Sequence, residues 1–84
     1  MEDQDEISRP YTREDAVSDS VERIEDFQRQ GDTYLSTSQA IMVGLALCRP
    51  DLLEQAGYGA KDTKLAWKRL DDAQREAVNS WWQN

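Results

Sequence analysis

The side chains that most often carry chemistry are scarce in this sequence. It has no histidine and one cysteine, Cys48. It therefore lacks the usual neutral-pH general base, the commonest metal ligand and any Ser–His or Cys–His nucleophile pair. One thiol cannot build a zinc site. Carboxylates are plentiful, but they fall on a polar N-terminal stretch and on the polar side of an amphipathic segment, where nothing shifts a pKa toward catalytic values. Met1 to Glu6 lacks the alternation and the glycine of a calcium loop. Gly57-Tyr58-Gly59 is too short for a phosphate loop and lacks its following lysine. The expectation is a non-enzymatic chain with no catalytic residue, cofactor or metal site. Cys48 follows an apolar run with Arg49 as its one neighbouring cation, and it reads as a buried structural thiol, since reactive thiolates prefer helix N-termini and nearby positive charge.

Residues suited to binding are easier to find. The first 32 residues hold eleven acids and four arginines, which is the whole net charge of −7, and the remainder is neutral. Such asymmetry separates an acidic element from a part that packs. Excess negative charge disfavours direct contact with nucleic-acid phosphates and with anionic membranes, and suits a protein partner with a basic surface. Glu14, Asp15, Glu22, Glu25 and Asp26 are the acidic candidates. Three tryptophans, Trp67, Trp81 and Trp82, are a large aromatic load for 84 residues. Adjacent helical positions point about 100° apart, so Trp81 and Trp82 cannot both face one small interior. Either one of them belongs to an interface, where tryptophan is enriched, or the pair closes the end of the core. Lys61, Lys64 and Lys68, with Arg69 and Arg75 nearby, form a short basic stripe interleaved with Asp62, Asp71 and Asp72. It reads as a solvated face or as an electrostatic partner for the acidic helix, within the chain or from a second copy.

The elements that position these residues are helical. Met1 to Tyr11 has almost no apolar content and reads as a disordered acidic tail (1–11) preceding one helical domain (12–84). Thr12 caps a helix over 13–30 whose apolar stripe is Val17, Val21, Ile24 and Phe27, with Gly31 as its stop. Ser36 and Gln39 stand at capping-box spacing before Ala40 to Cys48, an uncharged run that gives a helix over 38–48. Gly44, in its middle, implies close approach of a neighbouring helix to offset about 1 kcal/mol of lost propensity. Pro50 breaks the run and opens a short helix over 51–56 closed by Gly57. Asp62 or Thr63 caps the last segment. Asp71 and Gln74 form a second capping box that splits it into helices over 63–70 and 72–82, because Asp71-Asp72 suits a helix start better than a helix end. The fold class is all-α, a small bundle of four to five short helices.

No run is apolar for long enough to span a membrane, the N-terminus has no secretory pattern, and one cysteine fits a reducing, cytoplasmic setting. The leading expectation is a protein-binding regulatory protein acting by helical contacts, as a homodimer because the core is small and the second helix wholly apolar. The first alternative is an acidic nucleic-acid mimic that inhibits a nucleic-acid enzyme, as accessory proteins of phages and mobile elements do. The second is a helix-turn-helix nucleic-acid binder between Pro50 and Leu70.

Overall fold

The computed structural model describes residues 10–31 and 34–84; most of the acidic tail, residues 1–9, lies outside them. Five α-helices are present, with no strand among the described residues: α1 Arg13–Gln30, α2 Thr37–Ala46, α3 Pro50–Gln55, α4 Thr63–Arg69 and α5 Asp72–Gln83. A 3-10 turn, Ala60–Asp62, leads into α4.

Three reciprocal caps set the longer helices. Thr12 and Asp15 open α1, Ser36 and Gln39 open α2, and Asp71 and Gln74 open α5. In each, a side-chain oxygen accepts a free backbone N–H and the residue three further on returns the favour. The last box confirms a break after Leu70, whose ψ of 149° is extended. Arg75 then reaches back from the first turn of α5 and donates to the carbonyls of Trp67 (3.1 Å) and Lys68 (2.9 Å), placing a cation on the negative end of α4. Gln74 also donates to the Ser38 hydroxyl at 3.4 Å, linking the starts of α5 and α2. At α4 neither expected cap forms: Asp62 makes no side-chain cap bond, and Thr63 donates instead to the Ala60 carbonyl at 3.0 Å.

The helix α2 is the centre of the molecule. Every residue from Ala40 to Ala46 is buried, and α1, α3, α4 and α5 all pack on it. Ile24 and Phe27 from α1, Leu52 and Leu53 from α3, Ala66 of α4 with Leu70 beyond it, and Ala77 and Val78 from α5 complete the core. Gly44 carries the expected close approach. A Cβ built there would stand 3.2 Å from both the Arg49 carbonyl oxygen and Leu52 Cβ.

Two helices close in the same manner, one of them unexpectedly. After α3, Gly57 (φ +95°) donates to Glu54 O and Tyr58 donates to Leu53 O, both at 2.9 Å. This is the double closure of a Schellman motif with glycine in the left-handed position. After α2, Cys48 donates to Leu45 O (3.4 Å) and Arg49 to Gly44 O (2.8 Å), with Cys48 itself at φ +55°. The helix thus ends at Ala46 rather than Cys48, and the buried-thiol expectation is overturned, because Cys48 is exposed. The reason is Pro50. It holds Arg49 extended (φ −110°, ψ 93°), so the chain must reverse one residue earlier, which turns Cys48 out of the core.

Two stability changes follow. Gly44→Val is expected to lower unfolding free energy by about 1–3 kcal/mol through overpacking against the fixed Arg49 carbonyl. Cys48→Gly is expected to raise it by up to about 1 kcal/mol, since glycine occupies the left-handed region without a Cβ penalty. Urea denaturation of each variant reads both.

Candidate protein-binding surface

The amphipathic pattern of α1 turns Ile24 and Phe27 inward and half-buries Val17 and Val21. The opposite side presents Glu14, Ser18, Glu22, Glu25 and Arg29 to solvent in one row, all of them exposed. With Asp15, Asp19 and Asp26 alongside, this is the acidic face anticipated from the sequence.

The acids on it are not equivalent. Asp15 is half-buried and accepts from the Thr12 backbone N–H (3.0 Å) and hydroxyl (3.1 Å). Asp26 is paired with Arg29 one turn on. Asp19 accepts from the Tyr11 phenol at 2.8 Å, and this hydrogen bond, with a little desolvation and the neighbouring carboxylate charges, pushes the Tyr11 pKa up. Among the described residues, Glu14, Glu22 and Glu25 make no hydrogen bond or ion pair. Three of the five expected acidic residues are therefore open to a partner, and two already serve the helix.

The charge pairing between elements has the reverse sense of the expected one. The base sits on α1 and the acids on α5: Arg13 Nε lies 2.6 Å from Asp72 and Nη2 3.7 Å from Glu76, and these contacts raise the Arg13 pKa. Lys61, Lys64 and Lys68 are exposed and take no part in an ion pair among the described residues. The within-chain partnership of lysine stripe and acidic helix is absent.

The tryptophans divide as their adjacency requires. Trp81 is half-buried against the core. Trp82 is 52% exposed, yet its ring is committed: it stacks on Trp67 with centroids 6.1 Å apart and planes 11° apart, and its indole N–H donates to the Leu45 carbonyl at 3.2 Å. Trp81 and Trp82 together therefore close the end of the bundle. The stack was not foreseen, because it joins residues on two helices whose relative placement depends on the corner at Leu70.

Two hollows flank these features. A cleft of about 240 Å³ lies between α1 and the end of α5, walled by Val21 and Trp81 and rimmed by Glu25 and Asn84. A wider one of about 380 Å³ lies between the end of α1 and α3, floored by Phe27, Leu35 and Leu52. Over its edge Arg49 stands 5.9 Å above the Phe27 ring and forks onto Asp51 at 2.9 and 2.7 Å, which holds the Asp51 carboxyl below its ordinary pKa. No sequence pattern marked this second hollow.

Among the described residues, no group of three or more His, Cys, Asp or Glu side chains is placed to hold a metal ion, and no helix is long and apolar enough to cross a membrane. No protein-family model matches the chain, and no similar curated protein or solved structure was found.

Removing the acceptor and its charge in Asp19→Ala is expected to bring the Tyr11 phenol back toward its ordinary pKa of 10.0. The raised value means that the bond to Asp19 favours the neutral phenol, is intact at neutral pH and is lost as pH rises through the shifted pKa. An NMR titration of the Tyr11 ring carbons in both proteins measures the difference.

Proposed function

We propose that this chain is a non-enzymatic regulatory protein that binds the basic surface of another protein through the outer row of α1. The observation that carries the reading is the unequal use of the acids. Glu14, Glu22 and Glu25 lie exposed and unengaged along one row, whereas Asp15, Asp19 and Asp26 satisfy local donors. Glu14 and Glu25 are eleven residues apart, so the row runs about 16 Å along the helix, long enough to meet several cations at once. Its contribution lies chiefly in steering and register, because exposed pairs are individually worth about 0.2–1 kcal/mol.

The aromatic C-terminus is the weaker candidate. Trp82 stacks on Trp67 and bonds to Leu45, so its role in holding the bundle accounts for it without a partner. Nucleic-acid mimicry fits less well than a protein contact of defined register. A mimic needs a long anionic strip free of cations, and Arg29, paired with Asp26, ends this one after Glu25. The absence of histidine supports a binding role over a catalytic one. A lone free thiol is compatible with a reducing, cytoplasmic setting.

The test compares three proteins as bait in a lysate of the source cells: the intact chain, Glu14→Lys/Glu22→Lys/Glu25→Lys, and Trp82→Ala, each at low and high salt with helicity checked by circular dichroism. A partner lost with the triple variant and at high salt, and kept with Trp82→Ala, is the expected result. A partner indifferent to the triple variant and lost with Trp82→Ala would move recognition to the aromatic end and overturn the proposal.

A further inference from the structure

The surface of α4 carries the complement of the α1 row. Leu65, on α4, is 57% exposed. Lys68 follows it by three residues on the same helix face, Lys64 precedes it directly, and Lys61 lies in the 3-10 turn that leads into α4; all three are exposed. The cleft beside α1 is its negative: an apolar wall of Val21 and Trp81 with the Glu25 carboxylate at its rim, and Glu22 exposed one residue short of a turn away. Neither surface has an ion-pair partner within the chain among the described residues.

We propose that Leu65 of one copy docks in the Val21–Trp81 cleft of a second, with Lys61, Lys64 and Lys68 meeting Glu22 and Glu25. The occupant is a second copy because the chain itself supplies both halves of the contact, an exposed leucine beside unpaired lysines and a cleft beside unpaired glutamates. The proposal rests on the reading of the α1 row as the recognition element and names this protein as one of its own partners. The two patches are different surfaces, one on α4 and the turn before it, the other between α1 and the end of α5, so the contact is heterologous. Each docking leaves one patch of each kind free, and association proceeds head to tail. The net charge of −7 on each copy opposes approach at long range, but that repulsion is screened beyond about 8 Å at physiological ionic strength, whereas the contact pairs are closer than that. The contact is small and polar at its edge, so association is weak and appears only at high concentration.

Sedimentation equilibrium of the purified full chain tests this, at concentrations up to about 1 mM, the scale on which such weak contacts register. The weight-average mass should rise above the 9.7 kDa of the single chain, continue past twice that value, and fall back at high salt. Two variants then separate the patches. Leu65→Asp removes the knob and Glu22→Lys/Glu25→Lys removes the rim, all at exposed positions. Each alone should sediment as a single chain, and an equimolar mixture should reach twice the single-chain mass and stop there, because only one compatible pair of patches remains. A mass of 9.7 kDa at every concentration would overturn the proposal and leave the α1 row to a different protein, which the lysate experiment reads separately. Association that survives both variants would overturn it as well, by placing the contact elsewhere.

Discussion

A helix apolar on every side has none that water can face cheaply, and α2 is such a helix from Ala40 to Ala46. Burying Ile41, Met42, Val43 and Leu45 is worth roughly 1.5–3 kcal/mol each, and that gain exists only while neighbours cover every direction. The arrangement of the other elements is the answer to this demand. α1 and α5 cover two sides as long amphipathic helices, α4 covers a third, and α3 folds back on the fourth. The last of these is the tightest: Gly44 lets the Arg49 carbonyl and Leu52 approach the helix backbone so closely that a methyl group would be in contact with both. A chain of this length has little apolar surface to spare, so each short element is needed to complete the enclosure.

Charge is arranged so as not to compete with this enclosure. No charged or polar residue is buried among those described, and the ion pairs lie at the edges of helix contacts. Arg13 bridges α1 to Asp72 and Glu76 of α5 where those helices meet, and Arg75 closes the α4–α5 corner on carbonyls instead of carboxylates. What is left over is a row of glutamates on α1 and a group of lysines on α4 and the turn before it. Among the described residues, these side chains take no part in the ion pairs that join the helices.

The elements were readable from the sequence because their signals are local. Each capping box spans four residues, proline and glycine mark the turns, and the α1 stripe shows at helical spacing; all appear where local chemistry puts them. The errors arose where two elements act on one residue. Cys48 looked like the end of an apolar helix, but the constraint of Pro50 reaches it through Arg49 and rotates it outward. Asp62 looked like a cap, but the 3-10 turn before α4 leaves its carboxylate outside any cap bond. For the candidate surface, the acidic residues were identifiable by type, whereas which of them were free was not. That depends on Thr12, Tyr11 and Arg29, whose side chains choose between several nearby acceptors only once the helix exists. The Trp67–Trp82 stack was hidden for a similar reason, being set by a corner angle that no spacing encodes.

The outward turn of Cys48 has a practical side. The chain holds one thiol, and it lies exposed at the reversal between α2 and α3, outside the core. A fluorophore, spin label or biotin attached there through a maleimide would mark every molecule at one known point. The protein thus comes with its own handle for immobilisation or distance measurement, with no cysteine to be engineered in and none to be removed.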